Sequence, residues 1–177
     1  MRRARLVTAW TTVGAVVLTG CGAAGDLPLI AVHHGADGTP QVTMVPCGED
    51  GVGAAELRVF PPGAGTASGP GPDGPAAPGG PMSESWMAAD SRPSAGAAAF
   101  PLFSPPASWA VRRWDGERRL LPGFRYTVRF RPPGSDAYAG VLAFATEDLD
   151  GLAADEVWAD GRAMSRTAFR RLAEDAC

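Results

Sequence analysis

Three cysteines, two histidines, a run of carboxylates and a run of arginines are the groups with which this 177-residue chain could do chemistry. His33 and His34 are adjacent, and on an extended segment neighbouring side chains leave opposite faces, so the pair cannot close on one metal ion without distortion. No Cys or His lies at ligand spacing nearby, and we read both as surface or loop histidines, with neither metal nor cofactor. Glu147, Asp148, Asp150, Asp155, Glu156 and Asp160 form a run with no base inside it. Asp148-Leu149-Asp150-Gly151 lacks the Gly and Glu spacing that an EF-hand calcium loop requires, which leaves a solvated acidic face as the reading. A serine nucleophile would need a histidine and a Gly-x-Ser-x-Gly elbow, and the elbow does not occur. Paired-carboxylate hydrolysis depends on a separation in space that a sequence does not carry. The expectation is therefore a non-catalytic protein. From Arg112 to Arg131 seven arginines meet only Asp115 and Glu117, a local charge of +5 in a chain whose formal net charge is −3. Arg112, Arg113, Arg118 and Arg119 beside Trp114 are the candidate anion-binding group, since guanidinium forks grip phosphate or carboxylate in bidentate fashion. The other reading has these arginines splayed into water or paired with the acidic run.

The N-terminus gives the address. Arg2, Arg3 and Arg5 precede an apolar run, Leu6 to Leu18, that is shorter than the about 20 residues a bilayer span needs. The run closes on Leu18-Thr19-Gly20-Cys21, which resembles the lipobox of bacterial lipoproteins. That resemblance implies that residues 1–20 are a signal peptide and that Cys21 takes a diacylglyceryl group on sulfur and becomes the first mature residue. The protein would then be exported and lipid-anchored to the outer face of the bacterial cell membrane, with membrane lipid as a partner through the acylated Cys21. An ordinary secretory signal cut near Ala23-Ala24 is the alternative. Lysine is absent while Ala, Gly, Pro and Arg abound, a composition similar to that of actinobacterial lipoproteins. With Cys21 assigned to lipid by the lipobox resemblance, Cys47 and Cys177 remain as an even pair in an oxidising compartment, and a disulfide between them is expected. Residues 21–27 form a short tether whose full extension reaches roughly 20 Å.

The remainder, 28–177, has the length of one domain. Loss of the three leader arginines takes the net charge from −3 to −6, which disfavours nucleic acid as a partner. Leu29 to His33, Gln41 to Val45 and Glu56 to Phe60 read as strands, the first two joined by the turn-rich Gly35-Ala36-Asp37-Gly38. Residues 61–81 are Gly, Pro and Ala without apolar bulk and read as a disordered loop. In 82–107 Trp86, Phe100, Leu102 and Phe103 can pack, but Pro101, Pro105 and Pro106 exclude a central strand. Trp109 to Trp114 and Glu117 to Leu121 flank Asp115-Gly116, a pair suited to a type I′ turn, and predict a hairpin that opposes Arg113 to Arg118 and Arg112 to Arg119.

Tyr126, Val128 and Phe130 alternate with Arg125, Thr127 and Arg129, as a half-buried strand requires. The pattern from Leu120 to Phe130, Leu-x-Pro-Gly-x-x-Tyr-x-Val-x-Phe, is similar to the tyrosine-corner segment of fibronectin type III domains. The resemblance implies that the Tyr126 hydroxyl bonds back to the preceding corner. Tyr138 to Thr146 reads as the last strand, Asp160-Gly161 as a turn, and Ser165 caps a helix over 166–176 with Ala168, Phe169, Leu172, Ala173 and Ala176 on one stripe. The fold class is mainly β: a fibronectin-III-like or immunoglobulin-like antiparallel sandwich with a C-terminal α-helix. Trp109 is expected in the core, and Trp86, Trp114 and Trp158 are candidates for a stacking surface. The functional expectation is an interaction module at the cell envelope that contacts anionic lipid, a phosphate-bearing wall polymer or an envelope protein through the Arg-rich hairpin. The alternative is a carbohydrate-recognising or wall-processing accessory protein.

Overall fold

The computed structural model describes residues 27–49, 51–63, 85–90, 96–114 and 116–177. Residues 1–20, read above as a signal peptide, Cys21 and residues 64–81 of the Pro/Gly/Ala loop lie outside the described residues. Among the described residues ten strands and two helices follow in order: β1 (Ile30–His34), β2 (Pro40–Met44), β3 (Ala54–Phe60), β4 (Ser85–Asp90), β5 (Ala98–Pro101), β6 (Trp109–Trp114), β7 (Arg125–Arg131), β8 (Gly140–Ala145), α1 (Thr146–Asp150), β9 (Glu156–Ala159), β10 (Arg162–Ser165) and α2 (Arg166–Ala176). They build a mainly β protein, a sandwich of two five-stranded antiparallel sheets ordered β10-β9-β1-β2-β5 and β6-β4-β3-β7-β8. Strands β1, β2 and β5 of one sheet and β4, β3, β7 and β8 of the other make a three-plus-four sandwich. Edge strand β6 and the β9–β10 hairpin extend it.

Alternation decides which side chains go between the sheets. Ile30, Val32, Val42 and Met44 from one sheet meet Leu57, Val59, Tyr126, Val128, Phe130, Leu142 and Phe144 from the other in one buried cluster. Each such side chain removed from water contributes roughly 1.5–3 kcal/mol. Trp109 is buried as expected and meets Phe100 of the facing sheet edge to face, with ring centroids 5.1 Å apart. The other faces of β1 and β9 are covered by α2, so Ala31, Val157 and Ala159 are buried too. Ser165 caps that helix by accepting from the Ala168 amide at 3.1 Å. Phe169 and Ala173 are buried beneath it, whereas Ala168, placed on the same stripe from spacing, is exposed.

Proline falls where its missing donor does no harm: Pro101 ends β5, an edge strand of its sheet. The tyrosine corner forms as the resemblance implies. The Tyr126 hydroxyl accepts from the Leu121 amide at 2.7 Å, and the ring stacks on Phe144 at 5.3 Å. Tyr126→Phe keeps the ring but strands that amide, and should cost about 1–2 kcal/mol. A urea titration would show this as a lower midpoint at unchanged slope.

The 109–121 hairpin is corrected. Strand β6 pairs with β4, placing Trp114 opposite Trp86 and Arg113 opposite Met87. The register shifts between Met87 and Ala88, so that Arg112 is the extra residue of a bulge. Residues 117–121 form no strand. Two reasons favour this outcome: Glu117-Arg118-Arg119 has no apolar face to bury, and the hairpin register would set arginine against arginine twice. The Asp-Gly signal is instead realised at Asp160-Gly161, where positive φ of 52° and 68° close the two-residue turn between β9 and β10. Leu27, assigned to the tether by its sequence, already bridges Gly140 of the sandwich.

Candidate functional site

The two predicted arginine pairs are divided by the fold. Arg112 and Arg113 sit on edge strand β6 with Trp114, while Arg118 and Arg119 lie on the irregular segment that leads into the tyrosine corner. That segment forms one wall of a groove of about 570 Å³ at one end of the sandwich. The β1–β2 turn supplies His34, Asp37 and Thr39 on the opposite side, β5 and the turn after it supply Pro101, Phe103 and Ser104, and α1 contributes Thr146 and Asp150.

Each wall is fixed by bonds of its own. Asp37 accepts from the Thr39 amide at 3.0 Å and from the Thr39 hydroxyl at 2.8 Å, and these bonds hold its carboxyl below the usual carboxylate range. His34 Nδ1 pairs with the Gly38 carbonyl at 3.1 Å. The Thr146 hydroxyl donates to the Leu121 carbonyl at 2.8 Å, and Glu147 accepts from the Gly123 amide at 2.9 Å, which ties α1 to the tyrosine corner; its own backbone amide first, then that of Gly123, lower its pKa. Arg119 Nε donates to Glu117 across the turn. The groove thus presents two guanidinium groups, two carboxylates, an imidazole and three hydroxyls on a braced frame. Such a surface can take a ligand that carries both anionic oxygens and hydroxyls.

The acidic run is mostly spent on its own backbone. Asp148 accepts from the Ala145 amide at 2.7 Å and caps α1, while Glu156 accepts from the Ala153 amide at 3.0 Å. Asp150 alone of the run faces the groove. Among the described residues no three His, Cys, Asp or Glu side chains converge on a metal-sized position.

The two histidines diverge as their spacing requires. His34 borders the groove, and His33 is buried under α2, where Arg166 Nη1 and His33 Nε2 are 2.9 Å apart. Burial first, then the positive charge of Arg166 and the neighbouring His34, lower the His33 pKa from 6.5 to about 4. Arg166 can only donate, so the ring is neutral with its proton on Nδ1, which finds no hydrogen-bond partner.

A second polar cluster has no signal in the sequence beyond one carboxylate in a strand. Glu56 is buried on the outer side of β3, where it accepts from Arg58 Nε at 2.6 Å, Arg129 Nη2 at 2.7 Å and the Tyr138 hydroxyl at 2.8 Å. Burial pushes its pKa up, and the bonds from Arg58, Tyr138 and Arg129 outweigh that and leave it below the usual range. The Arg129 guanidinium also lies over the Tyr138 ring at 4.0 Å, and Arg131 pairs with Asp136 at 3.5 Å. The group laces β3 and β7 to the 132–139 loop, and its carboxylate is held as an anion by donors rather than poised for proton transfer.

Of the tryptophans offered as a stacking surface, Trp158 is half-buried with its indole N–H 3.4 Å from the Ala143 carbonyl of the facing sheet. Trp86 and Trp114 are opposite each other in the β4–β6 ladder. Cys47 and Cys177 form the disulfide, with Cα atoms 5.3 Å apart at a sequence separation of 130. No family model, curated protein or solved structure matches the chain.

Proposed function

We propose that this is an exported lipoprotein, attached through Cys21 to the outer face of the cell membrane, that works as a non-catalytic binding module of the envelope. The observation that supports it best is the groove: Arg118 and Arg119 line one wall of a cleft whose other walls are braced by turn and corner hydrogen bonds. A rigid frame that presents guanidinium groups is suited to recognition, because little side-chain and loop entropy remains to be lost on binding. The leader pattern, the Cys47–Cys177 staple and the closed sandwich core agree with life in an oxidising compartment.

Two measurements test the reading. Labelled palmitate should enter the parent chain and not Cys21→Ala, and equal labelling of both would remove the anchor. Replacing Arg112, Arg113, Arg118 and Arg119 together by Ser should weaken retention on isolated cell envelopes at least tenfold at low salt. The difference should shrink as salt rises and the screening length falls from about 30 Å at 0.01 M to about 8 Å at 0.15 M. Retention that ignores both the substitutions and the salt would remove the anion-binding role.

A further inference from the structure

The groove and the point where the chain joins the sandwich lie at opposite ends of the same strands. Leu27 bridges Gly140, and the Val45 amide donates to Leu29 at that same end. From there β1 runs to His34, which lines the groove, and β8 runs from Gly140 to Ala145, next to Thr146, which lines it too. At about 3.3 Å per residue, the run along β8 from Gly140 to Thr146 separates the two ends by roughly 20 Å. On the envelope-anchored reading above, on which this inference rests, Cys21 is six residues before Leu27. The groove then lies at the end of the sandwich remote from the anchored end of the chain, about two screening lengths along the strands at about 0.15 M salt.

The lining argues against a bare anion as well. Arg118 and Arg119 share the groove with Asp37 and Asp150, so the formal charge of its lining sums to zero with His34 neutral, and Glu117 beside the groove pairs with Arg119 as well. A simple phosphate would be drawn by one pair and repelled by the other. A chain that alternates phosphate with hydroxyl groups satisfies both: phosphate oxygens accept from guanidinium, and hydroxyls donate to carboxylate. We propose that this membrane-distal groove binds a phosphodiester-linked polyol polymer of the cell wall, with phosphate on Arg118 and Arg119 and polyol hydroxyls on Asp37 and Asp150.

The probe is a short poly(glycerol phosphate), with unphosphorylated polyglycerol and phosphatidylglycerol vesicles alongside, titrated into the full chain held in neutral detergent. Poly(glycerol phosphate) should bind, and polyglycerol should bind at least tenfold more weakly. Arg118→Gln with Arg119→Gln should weaken polymer binding at least tenfold, while Arg170→Gln with Arg171→Gln, exposed on α2 and outside the groove, should change it less than twofold. Asp150→Asn carries the decisive sign. A carboxylate that accepts polyol hydroxyls predicts about threefold weaker binding, whereas one that only repels an anion predicts tighter binding, and tighter binding overturns the proposal. Vesicle binding lost with Arg118 and Arg119, and no polymer binding, makes lipid the occupant; it overturns this inference and leaves the envelope module standing. Absent palmitate labelling removes the anchor instead, and the polymer titration still reads the groove. All five positions are exposed, and equal melting temperatures of the variants show that binding rather than folding has changed.

Discussion

Replacing Cys47 and Cys177 together by Ser should lower the melting temperature by roughly 10–20 °C. The bridge joins residues 130 apart, and closing a loop of that size removes about 5 kcal/mol of chain entropy from the unfolded state. It also holds the end of α2 over the sheet that its Phe169 and Ala173 cover. The Ser variant should therefore lose protection first in α2, which hydrogen exchange of the 166–176 amides would detect. A loss below about 1 kcal/mol would mean that the reduced chain keeps its ends together without the bridge, and that the helix docks by its apolar stripe alone.

The second large effect is a dependence on pH. His33 is neutral in the fold because burial and the adjoining Arg166 lower its pKa to about 4 from an ordinary 6.5. Between those values the unfolded chain takes up a proton that the folded chain refuses. The stabilising contribution is therefore complete above pH 6.5 and lost progressively down to pH 4, below which both states carry the proton. A full shift of that size corresponds to about 3 kcal/mol, and with Arg166 exposed to solvent roughly 2–3 kcal/mol is the expectation. His33→Gln cannot protonate yet can still accept from Arg166, so its stability should be flatter with pH across that window. Parallel curves for parent and variant from pH 4 to 6.5 would show that the imidazole is not shielded. Carboxylates such as Glu56, held below their ordinary range, add an acid-sensitive contribution common to both proteins.

Much of the architecture is readable from local chemistry. Strand β7 is written in perfect alternation, its corner in Leu-x-Pro-Gly-x-x-Tyr, and α2 in a capping serine followed by an apolar stripe. Strands β9 and β10 are not, because they are four residues each and Val157 and Trp158 both have inward work: one lies under α2, the other reaches the facing sheet. A strand covered on both sides has no polar alternation to display. The partner of β6 is hidden for a related reason. An Asp-Gly pair specifies a tight turn only if a second strand can use it, and Glu117-Arg118-Arg119 cannot. With the hairpin gone, the arginine cluster separates into an edge-strand pair and a groove pair. The groove is invisible in the sequence because its walls come from segments more than 100 residues apart, from Asp37 to Asp150. Glu56 escaped notice on the same account, since its donors Arg129 and Tyr138 lie 73 and 82 residues away.

The course of β1 has a mechanical consequence. A tension applied between Leu27 and a ligand seated beside His34 pulls along that strand, while the ladder bonds that join it to β2 from Ile30–Met44 to His34–Pro40 lie across the pull. All of them bear the load at once, in shear, and none can be peeled open ahead of the rest. A body built this way resists being stretched between a fixed surface and a moving polymer far better than one pulled from the side.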